Sequence, residues 1–555
     1  MSIGPATRLA FRRTGVYQAA MHKLHLGRHT VFLLCIALLV LGIALSPASV
    51  WGWLLVAVPG LLVLLGIRDL LQSQHSVLRN YPVIGHVRWL VEMIRPELRQ
   101  YLLEGETEAT PFSRAQRSLV YRRAKEDPSD HPFGTLVDVY APDYEFIQHS
   151  LMPAATPDPA SFRITIGNDQ CAQPYSASIF NISAMSFGSL SANAIRALNK
   201  GAAMGDFYHD SGEGGISPYH REHGGDIVWE VASGYFGCRT EGGRFDPAKF
   251  EAQAASPQVR MIEVKLSQGA KPGHGGILPG RKVTAEIAAT RGVPIGEDCV
   301  SPAHHSAFST PLEMMAFLQQ LRVLSGGKPV GFKLCIGQPW EFMAIVKAML
   351  ESGILPDFIV VDGGEGGTGA APVEFSDHIG TPMREGLLFV HNTLVGAGLR
   401  DRIKIGAAGR LISAFDIAAI LAIGADWVNA ARGFMFALGC IQSLSCHTNR
   451  CPTGVATQNA ARGRALVVPD KAERVHRFHD RTVSALADML AAAGLSHPDE
   501  LQPHHVVHRL SSTEIRQFDQ AHHFLKDGEL LTGDCTLPRY RDNWARARAH
   551  SFAAA

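Results

Sequence analysis

The chain has almost no surplus of charge: 52 Lys and Arg stand against 51 Asp and Glu, a formal net charge of +1 over 555 residues. Without a basic excess there is no electrostatic case for nucleic acid. Cysteine is scarce and mostly scattered. Of the nine, Cys35, Cys171, Cys238, Cys299, Cys335 and Cys535 lie far apart, which makes no disulfide framework and fits a reducing compartment. No GxGxxG string opens a helix after the first strand-like run, as an open dinucleotide-binding sheet would require. No NAD(P)H-binding domain is visible, so any reducing electrons would come from outside. Disorder is excluded as well: hydrophobic residues make up 46% and Gly numbers 54. The length suits a barrel-sized domain of roughly 250–300 residues plus additions.

What the sequence does contain begins with the other three cysteines. Cys440, Cys446 and Cys451 fall within twelve residues as Cys-x5-Cys-x4-Cys, with Pro452 after the last. Closely spaced thiolates followed by proline suit an iron–sulfur cluster, and three ligands rather than four favour a three-iron cluster. The alternatives are three unrelated core thiols, or zinc, which usually shows Cys-x2-4-Cys pairs and four ligands.

Two uncharged runs occupy residues 30–45 and 50–67, separated by Ser46-Pro47-Ala48-Ser49. Each is near the minimum of about 17 residues for spanning a bilayer. Trp51 and Trp53 flank the turn; Arg8, Arg12, Arg13, Lys23 and Arg28 precede the pair and Arg68 follows it. The positive-inside rule then predicts a two-pass transmembrane hairpin in the cytoplasmic membrane, with everything after residue 68 in the cytoplasm. A buried helical hairpin is the alternative. Residues 69–150 interleave Arg79, Arg88, Arg95 and Arg99 with Trp89, Leu90, Met93 and Ile94, either an amphipathic collar against membrane lipid or a solvated helical face.

From about residue 175 short apolar runs end in glycine-rich loops. Six are clear: 179–185, 260–266, 330–335, 358–362, 403–407 and 427–431. Helix-like stretches at 311–324, 340–352 and 414–424 lie between the later ones. This alternation predicts an α/β fold, a (β/α)8 TIM barrel, with an open doubly wound sheet as the alternative. Chemistry would then sit on loops at the carboxyl ends of strands. Two late loops, Ala407-Ala408-Gly409 and Ala430-Ala431-Arg432-Gly433, are small enough for backbone N–H groups to approach a phosphate. Beside a cluster motif, flavin mononucleotide (FMN) is the cofactor that fits best.

At these residues the chain resembles the FMN-binding synthase domain of glutamate synthases, in a small, membrane-anchored form without a glutaminase domain. The matching strings are Ser183-Ala-Met-Ser-Phe-Gly-Ser-Leu-Ser191, Ser211-Gly-Glu-Gly-Gly215, Gln268-Gly-Ala-Lys-Pro-Gly273, Leu278-Pro-Gly280, Ser301-Pro302 with His304-His305, Gly363-Gly-Glu-Gly-Gly-Thr-Gly-Ala370 and Ala437-Leu-Gly-Cys440 through Gln458. The resemblance implies a (β/α)8 barrel holding FMN and a three-iron, four-sulfur (3Fe-4S) cluster on Cys440, Cys446 and Cys451. It implies reductive amination of 2-oxoglutarate to L-glutamate: ammonia adds to the ketone, water leaves, and reduced FMN delivers hydride to the imino acid. It places Lys271 and Arg291 on the dicarboxylate, Gln268 on the keto or imino group, and Glu213 as proton shuttle. Lys333 would face the flavin, Met185, Ser186, Gly188 and Gln268 would lie along its ring, and Gly363, Gly364, Gly409, Ala431 and Arg432 would surround its phosphate. His304 and His305 are as well explained by packing as by catalysis.

The sequence departs from the family pattern at His274, Ile277 and Arg432, where the family usually has Glu, Gln and a small residue. The start is basic and then apolar, with no glutaminase cysteine, so ammonia would come from solution or from a separate glutaminase subunit. Electrons would come from ferredoxin or another donor. The expected division is a basic N-terminus (1–28), the hairpin (29–68), a connecting region (69–150), the barrel with its cysteines (151–464) and a C-terminal helical extension (465–555) that caps the barrel or forms a homo-oligomer surface. Two other functions remain open: an N-methylglutamate synthase-like enzyme using a different amine, and a membrane-anchored electron-transfer scaffold without amination activity.

Overall fold

Eight short runs of buried residues form parallel strands: β1 (Phe180–Ile182), β2 (His209–Asp210), β3 (Ile227–Val231), β4 (Val259–Lys265), β5 (Val330–Leu334), β6 (Phe358–Asp362), β7 (Lys404–Ala408) and β8 (Trp427–Ala430). They pair in chain order, and β8 closes on β1 to complete the barrel. The computed structural model describes residues 27–46, 50–108, 110–128, 130 and 132–555. Arg8, Arg12, Arg13, Lys23 and the Pro47-Ala48-Ser49 turn lie outside the described residues, as does the side chain of Trp51.

All six runs expected as strands are present. The two not anticipated are β2, two residues long, and β3. A helix follows each strand, and the sequence marks where several begin. The Ser191, Thr310 and Ser413 hydroxyls accept the N–H groups of Ala194, Glu313 and Asp416, and proline opens the helices Pro247–Ala254, Pro311–Leu324 and Pro339–Ser352.

Alternation along the strands builds the interior in layers. Ile227, Trp229 and Val231 of β3 face the core between strands and helices. Val228 joins Tyr208, Met261, Phe358, Val360 and Trp427 in an apolar plug inside the barrel. A hairpin of Arg163–Ile166 and Tyr175–Ser178 adds Ile166, Tyr175 and Ala177 to that plug. Nearer the carboxyl ends of the strands the interior becomes charged: Asp210, Glu230, Glu263, Lys265, Lys333 and Asp362 are the next inward positions.

Beyond the barrel, the 25-residue helix Val468–Ala492 packs on Ala192–Met204 and Arg114–Lys125. The C-terminal segment also carries strands. Val506–Arg509 pairs antiparallel with Glu145–Ile147 on one side and with Ile515–Gln517 on the other.

The described residues up to Glu104 form one compact unit, and Gly105–Ala555 forms another. The first contains helices Thr30–Leu45 and Val50–Leu71, which pack closely: a Cβ on Gly42 would lie 2.6 Å from the Leu55 carbonyl carbon. Among the described residues only one helical stretch, Gly52–Leu71 of the second helix, is long and apolar enough to cross a membrane. Thr30–Leu45 has 16 residues, about 24 Å at the α-helical rise and short of a hydrocarbon core about 30 Å thick. The helical hairpin is there, but a pair of full membrane spans is not supported. After it, the buried Asp69 carboxylate accepts from the Val83 N–H at 3.0 Å and lies 2.9 Å from His86 Nε2.

Candidate functional site

A cavity of about 280 Å3 opens at the carboxyl ends of the barrel strands. Each strand or its following loop supplies part of the wall: Ser183–Ser186 after β1, Gly212 and Glu213 after β2, Glu230 from β3, Lys265, Gln268 and Lys271 from the end of β4 and its loop, Lys333 from β5, Asp362 and the Gly366–Ala370 stretch after β6, Ala408–Arg410 after β7, and Asn429–Gly433 after β8. The long loop between β4 and Pro311 adds Ile277–Pro279, Lys282 and Arg291.

Of the residues expected at the site, Met185, Ser186, Glu213, Gln268, Lys271, Arg291, Lys333, Gly409, Ala431 and Arg432 line this one cavity, together with Cys440, Cys446 and Cys451. Gly188, Gly363 and Gly364 are not among the lining residues. The Gly188 carbonyl accepts from Gln458 Nε2 at 3.0 Å, and the Gly364 N–H donates to the Thr381 carbonyl at 2.9 Å. A Cβ on Gly363 would collide with Met383. These glycines therefore let backbone segments pack, and Gly366–Gly369 form the wall instead. His305 is buried, 2.9 Å from the Lys265 carbonyl and 3.1 Å from the Tyr235 hydroxyl, as a packed structural histidine would be.

The floor is an ionic network. Lys333 bridges Glu230, Glu263 at 2.7 Å and Asp210 at 3.7 Å. Lys265 links Glu230 at 3.4 Å to Glu213 at 3.0 Å. Oxygens of Asp210, Glu230 and Glu263 lie within 4.8 Å of one another, a grouping that suits a metal ion, but the Lys333 ammonium already takes up the charge. Burial alone would lower the pKa of Lys333; Glu230, Glu263 and Asp210 outweigh it and hold the pKa well above its ordinary value. Burial raises Asp210, Glu263 and Asp362 despite their lysine neighbours. Carboxyl groups outnumber ammonium groups in this layer, and their mutual repulsion adds to the upward push on Asp210 and Glu263.

Glu213 behaves oppositely. Burial would raise it, but Lys265, Arg291 and Lys271 outweigh burial and bring it down to about 2. Gly276 lies against its carboxylate so closely that a Cβ there would collide. Arg291, 3% exposed, donates to the Phe187 carbonyl at 3.1 Å, stacks over Phe236 and keeps Nε without a partner. Burial lowers the pKa of Lys271, which donates to the Ala370 carbonyl at 3.4 Å. Two cations with hydrogen-bonding capacity to spare face one cavity beside a carboxylate, an arrangement that takes an anion with more than one acidic group.

At the β8 end, helix Arg432–Leu438 starts at the cavity with no side chain capping Ala431, which leaves its first N–H groups to a ligand. Arg432 packs over Phe112, 4.8 Å from the ring centroid, and donates to the Glu365 carbonyl at 3.3 Å. A small-residue cradle, an uncapped helix start and a nearby guanidinium fit a phosphate, and the adjoining cavity is large enough for a flat ring system. The three cysteines are free thiols on the neighbouring wall. Burial pushes Cys440 up to about 12. Burial would raise Cys451 too, but backbone N–H groups of Ala456, Thr453 and Val455 and the Thr453 hydroxyl overcome it and lower its pKa. Three thiols on one wall, one already met by donors that favour its anion, fit an iron–sulfur cluster.

Sequence reasoning missed Asp210, Glu230, Glu263, Lys265, Asp362 and Lys282. A signal for some was present: Glu263 and Lys265 alternate within an otherwise apolar strand, and Glu230 interrupts Ile-Val-Trp-Glu-Val. A charge near the carboxyl end of a barrel strand points into the site.

Residues 150–496 match the conserved region in glutamate synthase. The chain is 37% identical over 534 residues to the glutamate synthase large subunit-like protein YerD of Bacillus subtilis (strain 168), covering 89% of this chain and 99% of YerD. It is 35% identical over 323 residues to the archaeal glutamate synthase (NADPH) of Methanocaldococcus jannaschii, covering 58% of this chain and 60% of that relative. A Thermotoga maritima archaeal-type glutamate synthase (NADPH) is 33% identical over 320 residues, again with 60% of its length covered. A solved mandelate oxidase variant with an FMN adduct covers 78% of this chain and 99% of its own at 13% identity and a TM-score of 0.39, too distant to bear on the fold or the site.

Proposed function

The chain belongs to the glutamate synthase family, an oxidoreductase family, and from that premise we propose that it reductively aminates 2-oxoglutarate to L-glutamate with FMN, a 3Fe-4S cluster and an external electron donor. The observation that carries this reading is the convergence of Lys271, Arg291, Gln268 and Glu213 on one cavity. Lys271 and Arg291 bind the two carboxylates, and Gln268 orients the ketone between them. Ammonia adds to the ketone, and Glu213 manages the protons as water leaves. With the cavity empty, Glu213 is an anion held down by three cations. A bound dianion draws Lys271 and Arg291 to itself, so the Glu213 pKa climbs and the carboxyl group can take a proton and return it. Gly409, Ala431, Arg432 and the Gly366–Gly369 stretch would hold the FMN phosphate, and Met185 and Ser186 would line its ring. FMN supplies the hydride that reduces the imino acid. Lys333 and Lys265 keep the floor of the cavity charged.

The decisive experiment is anaerobic. The detergent-purified, cofactor-loaded chain is reduced chemically, and flavin absorbance is followed as 2-oxoglutarate and ammonium are added. Reoxidation that needs both, with glutamate formed, is the expected result. Lys271→Ala weakens the 2-oxoglutarate dependence by about 30-fold or more, since losing one partner of a desolvated charge pair costs about 2–5 kcal/mol. No reoxidation with either substrate despite bound FMN sinks the reading in favour of an electron-transfer scaffold. A different amine is the second reading. Ile277, 48% exposed, lines the cavity with Leu278, an apolar edge suited to an alkylamine. Methylamine in place of ammonium separates the two.

For location, the reading is attachment to the cytoplasmic membrane. Trp53, Leu54, Val58, Leu61 and Leu64 on helix Gly52–Leu71 are exposed, unlike those of a core helix. Helix Gly85–Leu98 exposes Val87, Leu90, Val91 and Ile94 on one face and carries Arg88 and Arg95 on another, the pattern of a helix lying in the lipid interface.

A further inference from the structure

Lys282 ends the short turn Gly280–Lys282 in the loop after β4 and is 4% exposed. Its ammonium donates to the Cys446 carbonyl at 3.0 Å, and among the described residues it has no carboxylate partner. Taking an ammonium out of water costs several kcal/mol unless an anion accompanies it, and one neutral carbonyl does not offset that. Lys282, Cys446 and Cys451 line the same cavity wall, and the Cys446 backbone is in direct contact with the ammonium. An iron–sulfur cluster held by these cysteines carries net negative charge and would supply the missing counter-charge. The Thr453 hydroxyl lies 3.5 Å from the Cys451 sulfur. Lys282 also lines the cavity that Glu213, Lys271 and Lys333 line.

We infer that Lys282 is the counter-ion of the iron–sulfur cluster held by Cys440, Cys446 and Cys451, and that its charge sets the cluster's reduction potential. The inference rests on the cluster reading above. The step concerned is the transfer of one electron onto the cluster from a low-potential one-electron carrier, with no bond made or broken. The reduced cluster is one unit more negative than the oxidised one, so a fixed positive charge beside it stabilises the reduced form and raises the potential. Lys282 touches no reacting atom; it is a positioning residue that acts through the cluster.

The test uses the full chain, reconstituted anaerobically with iron and sulfide, as wild type, Lys282→Met and Lys282→Arg. Iron content and a potentiometric titration followed by electron paramagnetic resonance are the readouts. The expected result is unchanged iron content and, in Lys282→Met, a cluster at least tenfold harder to reduce, about 59 mV for one electron, with Lys282→Arg close to wild type. An unshifted potential in Lys282→Met with the cluster present overturns the inference. If Lys282→Met takes up no iron, Lys282→Arg decides: a cluster there shows that the charge is what matters, and its absence there shows that the lysine acts by shape. Wild type that takes up no iron and gives no cluster signal overturns the cluster reading together with this inference, while acceptor-dependent flavin reoxidation reports separately on the amination reading.

Discussion

Lys265 holds two carboxylates at once, Glu213 at 3.0 Å and Glu230 at 3.4 Å, and so joins the charged floor of the barrel to the cavity. The low pKa of Glu213 depends on it more than on any other cation. A carboxylate depressed to about 2 contributes stability that is complete above its ordinary value of 4.5 and is lost as pH falls toward 2. In Lys265→Met the largest part of this contribution is lost, leaving the smaller effects of Arg291 and Lys271. The variant is therefore less stable than wild type at pH 6, and the gap narrows as pH falls below 4.5, which urea unfolding midpoints at pH 6 and pH 3 measure. A gap of constant size would show that Lys265 does not hold Glu213 down. The same residue shows what the sequence leaves hidden. Lys271, Gln268 and Arg291 stand in recognisable strings, whereas Lys265 acquires its meaning only when β3, β4 and β5 bring Glu230 and Lys333 to the same level of the barrel.

At the scale of elements, helix starts are the most legible feature. Thr310 and Glu313 form a reciprocal cap ahead of Pro311–Leu324, and the expected helix has the observed ends. Thr310→Ala removes an accepted N–H and costs about 1 kcal/mol, a small downward shift of the thermal midpoint with flavin content unchanged. Strands are legible in proportion to their length. β4, with seven residues, stands out in the sequence; β2, with two, carries no periodicity to recognise and is a strand only because β1 and β3 flank it. β3 is hidden for another reason: Glu230 breaks its apolar run because the position faces the ionic floor. The hairpin errs in the other direction. Hydropathy alone suggested two spans, whereas the first helix ends at Leu45, too soon to cross. The C-terminal strands also escape a local reading, since Val506–Arg509 finds its partner in Glu145–Ile147.

For the whole molecule, charge is divided along the chain. Residues 1–104 carry ten Lys and Arg against four Asp and Glu, while the full chain is nearly neutral. A basic leading unit with exposed apolar helices favours an anionic lipid surface. The full chain, reconstituted from detergent with liposomes, is expected to float with vesicles containing anionic lipid. Ile94→Glu together with Leu90→Glu should weaken retention after an alkaline salt wash and leave flavin reoxidation intact. Full extraction of the wild-type chain by that wash would refute membrane attachment.

The pairing of Glu145–Ile147 with Val506–Arg509 has a consequence for how the molecule is made. His508 lies 3.0 Å from Glu145, its partner 363 residues earlier, and Glu145 also receives both guanidinium nitrogens of Arg384. Ribosomes add about 5–20 residues per second, so the strand at Glu145 waits roughly 20–70 s for its partner to emerge. Every barrel strand has been synthesised by then. A nascent chain stalled before residue 506 would carry a closed barrel with an exposed strand edge beside it, and that edge, rather than the barrel, is where a chaperone or a protease would meet the unfinished protein.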